Sequence, residues 1–213
     1  MRNIAIYGFG GFGREIACLL NQINEVESQW NLVGFFDDGV PAGTENHYGK
    51  VLGNLDTLNC YQEELSVVIA IATPEYLKKI ATGVTNPKID FPNIYAPNTN
   101  IFDPEAFKIG KGNLFFFGCR LSCEVEVGDF NLMNGAVSLG HDVKLGNYNV
   151  LGPSVRISGD CKVGNENFFG VNSVVLQGLT IGDNTRIGAG SVVMRNTKDN
   201  NLYLGNPAKR VIL

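Results

Sequence analysis

The feature of the sequence that most constrains its fold is a repeat of six residues in the C-terminal half. Steps of six from residue 109 to residue 193 meet fifteen positions, and every one is apolar. In a chain that is 44% apolar, one such register would arise by chance roughly four times in a million. The positions are Ile109, Phe115, Leu121, Val127, Met133, Leu139, Leu145, Leu151, Ile157, Val163, Phe169, Val175, Ile181, Ile187 and Val193.

A period of six fits neither an α-helix nor a flat strand, which bury side chains at periods of 3.6 and 2. It fits a unit of one short strand and one corner that buries one large side chain, and stacked units of this kind form a parallel β-helix. With three faces per coil, residues 109–198 predict five coils, about 20 to 25 Å long at a strand spacing of ~4.8 Å. The repeat does not define the hand, and the general preference of β-crossovers favours a right-handed path.

Glycine marks the corners of this predicted solenoid. The chain has 26 Gly, about 12% against a typical ~7%. We interpret the glycines that follow the apolar positions as corner residues whose backbone conformation a Cβ disfavours, and the corner asparagines as tolerating the same geometry. The glycines are Gly110, Gly128, Gly140, Gly146, Gly152, Gly164, Gly170, Gly182 and Gly188, and the asparagines are Asn131, Asn147, Asn149, Asn165 and Asn167.

Residues 1–97 have a different pattern, in which strands and helices alternate. A short apolar run at Ile4–Tyr7 precedes the glycine-rich turn Gly8–Gly13, an amphipathic segment at Arg14–Ile23 and a second apolar run at Leu32–Phe36. We therefore predict an α/β domain of the half-Rossmann type with a short parallel sheet over residues 1–97, and an all-β parallel β-helix with a C-terminal tail over residues 98–213.

The remainder of the first domain predicts two further strands and a helix. Residues 66–72 form a continuous apolar run typical of a buried parallel strand. Thr73 and Pro74 then begin a helix that extends to about Gly83. A last short strand is predicted near residues 93–95.

The turn Gly8–Gly13 between a strand and a helix predicts a phosphate-binding loop, because it brings backbone N–H groups and a helix N-terminus together. Asp37 or Asp38, some 24 residues beyond Gly13, suits an acid that binds ribose. Taken alone, this pattern also fits a hydride-transfer enzyme. Fewer than a hundred residues, however, do not supply both halves of a dinucleotide fold and a substrate domain.

Composition excludes several other classes. The net charge is −4 and no Lys/Arg cluster occurs, which argues against nucleic-acid binding. The sequence has no run of about 18 apolar residues, so we predict no membrane-spanning helix. The start MRNIAIYGFGG lacks the pattern of a secretory signal, and we therefore expect a cytoplasmic protein. The cysteines have no CxxC spacing and are predicted to be buried thiols without a disulfide or a metal: Cys18, Cys60, Cys119, Cys123 and Cys161.

Five segments together resemble one family: GFGGFGRE near the N-terminus, FFDD, VVIAIA, the pair His141-Asp142 and the closing GNPAKRV. With the hexapeptide repeat, they resemble the left-handed β-helix sugar acetyltransferases of the sialic acid O-acetyltransferase-like group, which includes the bacillosamine and perosamine N-acetyltransferases. The resemblance covers essentially the whole chain. It implies a left-handed β-helix, acetyl-CoA as co-substrate without a metal, and a homotrimer.

Acetyl transfer needs a base for the incoming nucleophile, and His47 and His141 are the only histidines. His47 lies in a polar stretch and is interpreted as a surface loop residue. His141 stands two residues after an apolar core position, where it projects from a corner. The resemblance implies that His141 is the base, that Asp142 increases its basicity, and that the N–H of Gly159 lies near the developing oxyanion.

The resemblance also implies the binding residues. Gly10, Gly11 and Phe12 would bind a pyrophosphate, Asp37 and Asp38 a nucleoside, Ala72 a further part of the substrate, and Asn134 the acceptor sugar. Acetyl-CoA would lie between neighbouring subunits against Val150, Gly159, Val171, Ala189, Pro207 and Lys209. This chain departs from the family at Val150, where a second histidine is often present, and at Ala72, which is often glycine.

We therefore expect an acetyl-CoA-dependent N-acetyltransferase that acts on a nucleotide-linked 4-amino-4,6-dideoxy sugar for a surface glycan. O-acetylation of a sugar hydroxyl is an alternative, because the same base serves either nucleophile. A non-catalytic nucleotide-sugar-binding trimer is another, although the intact His141-Asp142 pair and the GNPAKRV tail argue against it. A UDP and a dTDP carrier fit the sequence equally well.

Overall fold

The computed structural model describes residues 1–211, which form an α/β domain followed by a parallel β-solenoid. The α/β domain contains one six-stranded sheet with the order β3-β4-β2-β1-β5-β6, parallel except for the antiparallel pair β3 and β4. The prediction of an α/β domain with a short parallel sheet is confirmed. The elements are β1 (Arg2–Tyr7), α1 (Gly11–Val26), β2 (Trp30–Phe36), β3 (Glu45–Asn46), β4 (Gly49–Gly53), α2 (Leu55–Asn59), β5 (Leu65–Ile69), α3 (Pro74–Gly83) and β6 (Ile89–Asp90).

The helices follow from the apolar spacing of the sequence. Helix α1 buries Ile16, Leu20 and Ile23, which lie three to four residues apart on one face. Helix α3 begins at Pro74, where a missing N–H costs no hydrogen bond. Strand β5 is shorter than predicted and ends at Ile69. Within residues 1–211 no helix combines the length and the apolar character needed to cross a membrane.

The solenoid has three flat faces, and pairing of residues eighteen apart, such as Leu121 with Leu139, confirms the predicted coil. The first face contains β7 (Ile94–Tyr95), β10 (Leu114–Phe115), β13 (Leu132–Met133), β16 (Val150–Leu151), β19 (Phe168–Phe169), β22 (Arg186–Ile187), β24 (Leu202–Leu204) and the antiparallel β25 (Lys209–Val211). The second contains β8 (Asn100–Ile101), β11 (Arg120–Leu121), β14 (Ser138–Leu139), β17 (Arg156–Ile157), β20 (Val174–Val175) and β23 (Val192–Val193). The third contains β9 (Lys108–Ile109), β12 (Glu126–Val127), β15 (Lys144–Leu145), β18 (Lys162–Val163) and β21 (Thr180–Ile181).

The prediction of five coils is wrong, because the solenoid begins before the uninterrupted repeat. Strand β7, predicted as part of the α/β domain, pairs with β10 on the first face, and β8 pairs with β11 on the second. A longer turn between β8 and β9 breaks the six-residue spacing and hides this first coil from the sequence pattern. The domain boundary predicted after residue 97 therefore falls inside the first coil.

The glycines that follow the apolar positions have another role than the one predicted from the sequence. The left-handed backbone occurs two residues after those glycines, at residues such as Asp142, Tyr148 and Ser154 with φ of 57 to 60°. Gly146 shows what the glycines do instead: a Cβ there would lie 2.6 Å from the carbonyl oxygen of Gly164 in the next coil. These glycines are therefore needed for close approach of successive coils. Gly112, Gly118, Gly178 and Gly190 do have positive φ.

The corner asparagines also have another role than predicted, since those at 131, 147, 149, 165 and 167 do not have positive φ. Asn131, Asn149 and Asn167 are buried and form a ladder along the solenoid. Asn149 Nδ2 donates to Asn131 Oδ1 and to the Gly164 carbonyl, each at 3.0 Å, and the Asn167 N–H donates to Asn149 Oδ1 at 3.0 Å. The ladder satisfies backbone groups that the corner would otherwise leave buried without partners.

The α/β domain packs on the first face of the solenoid. Leu114, Leu132 and Val150 point outward from that face, yet they are buried in one apolar core with α1 and the sheet. The ring of Phe12 stacks on that of Phe116 at a centroid distance of 5.6 Å. At another edge of this interface Lys78 Nζ forms an ion pair with Glu166 at 2.6 Å. The two domains therefore share a continuous apolar interface.

The prediction that all five cysteines are buried thiols is wrong for three of them. Cys119 and Cys161 are fully buried in the solenoid core. Cys18, Cys60 and Cys123 are exposed, because they occupy a polar helix face, a helix end and a corner rather than positions that point into the core.

Candidate active site

The imidazole of His141 and the carboxylate of Asp142 contact each other at the corner between the second and third faces, which we call the second corner. His141 Nδ1 lies 2.8 Å from Asp142 Oδ2, and both side chains are about half exposed, at 48% and 57%. The backbone of Asp142 is left-handed, with φ of 60°, and its N–H donates to the Cys123 carbonyl at 3.0 Å. The corner thus fixes the orientation of the carboxylate beside the imidazole.

Gly159 lies one coil beyond His141 on the same corner, and the imidazole covers it. A Cβ on Gly159 would overlap the ring, at 2.8 Å from Cδ2 and closer still to Nε2. The His141 carbonyl accepts the N–H of Asp160 at 2.8 Å, whereas within residues 1–211 the N–H of Gly159 donates to no acceptor. The second corner therefore combines an imidazole, a carboxylate and an available backbone donor.

This arrangement suits general base catalysis. When Nδ1 carries the proton, it donates to Asp142, and the lone pair of Nε2 is available to accept a proton. The same Asp142 carboxylate stabilises the imidazolium that then forms. His47, in contrast, is exposed in the turn between β3 and β4, where its ring packs against that of Tyr48.

A second candidate site is a groove at the carboxyl ends of β1 and β5, with a volume of about 440 Å³. This size is within the usual range of ligand pockets. Gly8 and Gly13 pack tightly, since a Cβ on Gly8 would lie 2.8 Å from the Ala70 carbonyl oxygen, and one on Gly13 would overlap Gly8. Around Gly10, in contrast, the space is open, and a Cβ on Gly11 would meet only Nη2 of Arg14, at 3.7 Å. The groove is lined by Tyr7, Gly8, Gly10, Asp37, Asp38, Gly39, Ala70, Ile71, Tyr76, Lys79 and Ile80.

The open side of the glycine loop presents the first turn of α1. Gly10 is the N-cap and has no side chain to cap the helix, and no acidic residue occurs in the first turn. The free N–H groups and the helix dipole at this end favour an anion. The loop predicted to bind a pyrophosphate therefore has the local structure of such a site.

Asp37 and Asp38 line the groove and are held by hydrogen bonds. Asp37 accepts the N–H of Phe9 at 2.8 Å, and Asp38 accepts the Tyr7 hydroxyl at 2.7 Å. Burial of Tyr7, followed by its hydrogen bond to Asp38, raises the pKa of the phenol, which therefore stays protonated and donates. Tyr7 was not singled out by the sequence, in which it is one more apolar residue of a strand.

Of the other predicted substrate residues, Ala72 lies near this groove, whereas Asn134 lies on the solenoid. Ala72 is exposed and lies just beyond the lining residues Ala70 and Ile71. Asn134 is at the corner between the first and second faces, which we call the first corner, one coil beyond Phe116. Because Phe116 contacts Phe12 of the glycine loop, Asn134 lies one coil away from the contact between that loop and the solenoid.

The residues predicted to contact CoA are in three places. Val171 (43% exposed) and the exposed Ala189 are stacked on the first corner, and Pro207 and Lys209 are exposed in the tail that closes the last coil. Gly159 is on the second corner beside His141. Val150 is only 2% exposed and is buried between the two domains, so it offers CoA no surface in this chain.

Apart from Pro207 and Lys209 in the tail, the candidate residues therefore form two groups on different sides of the solenoid. The groove, Asn134, Val171 and Ala189 are on the side of the first face or the first corner. His141 with Asp142 and Gly159 is on the second corner, which is opposite the first face in a three-sided prism. Within a single chain these two groups do not form one site.

Two family models match the chain. Residues 3–84 match the PglD N-terminal domain, and residues 160–195 match the bacterial transferase hexapeptide repeat. The chain thus joins a PglD-type N-terminal domain to a transferase hexapeptide domain, and the resemblance given by its motifs is confirmed. A comparison with curated proteins finds no match.

Solved structures of similar fold cover both domains. WeeI from Acinetobacter baumannii is 27% identical, with a TM-score of 0.89 over 99% of this chain and 100% of that chain. PerB from Caulobacter crescentus, solved in complex with CoA and GDP-perosamine, is 25% identical, with a TM-score of 0.85 over 100% and 98%. The acetyltransferase domain of PglB from Neisseria gonorrhoeae, in complex with acetyl coenzyme A, is 24% identical, with a TM-score of 0.88 over 99% of both chains.

Proposed function

We propose that the protein is an acetyl-CoA-dependent N-acetyltransferase whose acceptor is a nucleotide-linked 4-amino-4,6-dideoxy sugar used for a surface glycan. The class of acyltransferase and the co-substrate follow from the hexapeptide transferase match and from similar structures that contain CoA or acetyl-CoA. A nucleotide-linked amino sugar is supported by the structure of PerB with GDP-perosamine. The observation that carries the proposal is the His141–Asp142 pair at 2.8 Å, stacked on Gly159.

In the proposed reaction the sugar amine reacts directly with the thioester. Nε2 of His141 takes a proton from the amine as its nitrogen bonds to the carbonyl carbon. The backbone N–H of Gly159 donates to the resulting oxyanion, and Asp142 stabilises the imidazolium. The carbon–sulfur bond then breaks, and the proton on His141 passes to the CoA thiolate. The products are the amide and CoA thiol, without a covalent enzyme intermediate.

A homotrimer would complete this site. The groove belongs to the domain that covers the first face, whereas the corner that carries His141 lies opposite that face, so His141 of one subunit needs the groove of a neighbour. Three copies arranged head to tail around an axis would form three equal sites. Acetyl-CoA would then lie between Gly159 on one subunit and Val171 and Ala189 on the next. By resemblance to the family, we propose a left-handed solenoid and a cytoplasmic location.

The decisive experiment is to incubate the protein with acetyl-CoA and a panel of UDP-, dTDP- and GDP-linked amino sugars, and to follow free thiol over time. N-acetylation predicts thiol release that depends on the sugar amine and an amide in the product by mass spectrometry. Release with the corresponding 4-hydroxy sugars, but not with the amines, would instead support O-acetylation. The absence of thiol release with every acceptor would contradict an acetyltransferase.

A further inference from the structure

The groove of the α/β domain has a second wall that no motif in the sequence indicated. Tyr76 and Lys79 of α3 form this wall and line the groove together with the glycine loop and the aspartates. They are three residues apart and therefore lie on one face of the helix, while Leu77 and Ile80 pack into the core. Tyr76 is 56% exposed. A large aromatic ring that lines the groove is thus accessible to a ligand.

The positive charge of Lys79 suits an anionic ligand in this groove. Asp37 and Asp38 already place two carboxylates in the groove, and a diphosphate would add further negative charge. Lys79 is the one cationic side chain among the lining residues of the groove. Within residues 1–211 it has no carboxylate partner, whereas its neighbour Lys78 is paired with Glu166. The helix dipole of α1 supplies only a partial charge, so among the lining residues a full positive charge comes from Lys79.

We infer that Lys79 binds the diphosphate and that Tyr76 stacks on the nucleobase of the sugar nucleotide, an assignment that rests on the proposed function. An ammonium group on a flexible stem suits a phosphate as a point charge. An aromatic ring accepts any nucleobase, because every base has a π-face, and each such stack strengthens binding by roughly tenfold. The aspartates then remain available to the sugar hydroxyls of the nucleoside.

The test is calorimetric titration of the full-length protein with UDP, dTDP and GDP and with the parent nucleosides. We expect Lys79→Gln to weaken nucleoside diphosphate binding at least tenfold and to leave nucleoside binding unchanged. Tyr76→Ala is expected to weaken both kinds of ligand by roughly tenfold, and Tyr76→Phe to restore binding because it keeps the ring. Lys50→Gln, which removes an exposed lysine from β4 outside the groove, is the matched control for charge.

Two results would overturn this assignment, and one of them would also contradict the proposed sugar-nucleotide substrate. If the wild-type protein binds a nucleoside diphosphate and both Lys79→Gln and Tyr76→Ala bind it equally well, the second wall has no role and the proposed function is unaffected. If the wild-type protein binds none of the nucleotides, both the assignment and the proposed sugar-nucleotide substrate are wrong. Thermal denaturation of each variant separates a loss of binding from a loss of folding.

Discussion

The imidazole of His141 rests on the Cα of Gly159, one coil further along the solenoid, and leaves no room for a side chain there. Asp142 holds the other side of the ring through Nδ1. The position of Nε2 is therefore fixed by two contacts, one to a carboxylate and one to a bare backbone.

Gly159→Ala should therefore lower kcat by roughly a hundredfold, because a methyl group would displace Nε2 by about 1 Å from its position for proton transfer. Thiol release under saturating substrates measures the effect. Ser158→Ala, one residue away, is the control and should keep near wild-type activity. A fully active Gly159→Ala enzyme would show that the contact with the ring does not matter.

Asp142→Asn should reduce kcat by tenfold or more, because an amide cannot stabilise the imidazolium as a carboxylate does. Asp160 offers a matched control, since it occupies the same corner position one coil later and has nearly the same φ, 55° against 60°. Asp160→Asn should leave kcat within twofold. Equal losses of kcat in the two variants would mean that each carboxylate affects kcat only by holding the backbone conformation of its corner.

His141→Ala should lower turnover by 10²- to 10⁴-fold, the usual contribution of a general base. Because the side chain is about half exposed, its removal should leave the fold and CoA binding nearly unchanged. Calorimetry with CoA and circular dichroism test these two points. An active His141→Ala enzyme would refute the assignment of the base.

Gly146→Ala should destabilise the solenoid by several kcal/mol, since the new Cβ would lie 2.6 Å from the Gly164 carbonyl oxygen and 2.7 Å from Asn165 Oδ1. Gly178→Asn is the contrasting variant. Gly178 has φ of +73° and nothing within 4 Å of a new Cβ, and Asn tolerates that conformation. The melting temperature should fall clearly in the first variant and little in the second.

Asn149→Ala should lower the free energy of unfolding by about 2 to 5 kcal/mol, because the Gly164 carbonyl and the Asn167 N–H would each lose a buried partner. Chemical denaturation measures this loss. Asn21, exposed on α1 and without a side-chain hydrogen bond within residues 1–211, gives the control variant Asn21→Ala. A loss below 0.5 kcal/mol at Asn149 would mean that water replaces the ladder.

Thiol titration at pH 8 should find three reactive cysteines in the folded protein, namely Cys18, Cys60 and Cys123. Burial raises the pKa of Cys119 to about 12, and burial also raises that of Cys161. Because the thiolate is the reactive form, both thiols stay protonated and unreactive until the pH approaches their raised pKa values. They should react at pH 8 only after unfolding, and prompt reaction of five thiols would contradict the described core.

The three-faced solenoid could be predicted from the sequence, because a coil of eighteen residues has three faces and each face buries one apolar residue in every six. The same period places Gly159 on the corner of His141, since the two are eighteen residues apart. It did not reveal the first coil, where a longer turn between Ile101 and Lys108 interrupts the spacing. The roles of the glycines were misassigned because a sequence does not show the distance between successive coils.

The groove was only half predicted from the sequence. The glycine loop and Asp37-Asp38 form a local pattern with a known spacing, so they could be identified. Tyr7, Tyr76 and Lys79 reach the groove only through the packing of β1 and α3, and no spacing rule links them to it. The resemblance assigned Val150 to CoA binding, whereas in the structure its side chain is buried between the two domains.

The burial of Leu114, Leu132 and Val150 beneath the α/β domain has a consequence for how substrate is captured. Rotation of one domain about a hinge would expose these side chains to water, at a cost of about 1.5 to 3 kcal/mol for each. We therefore expect the groove to bind its ligand without domain closure, in a shape that is already present before the ligand arrives.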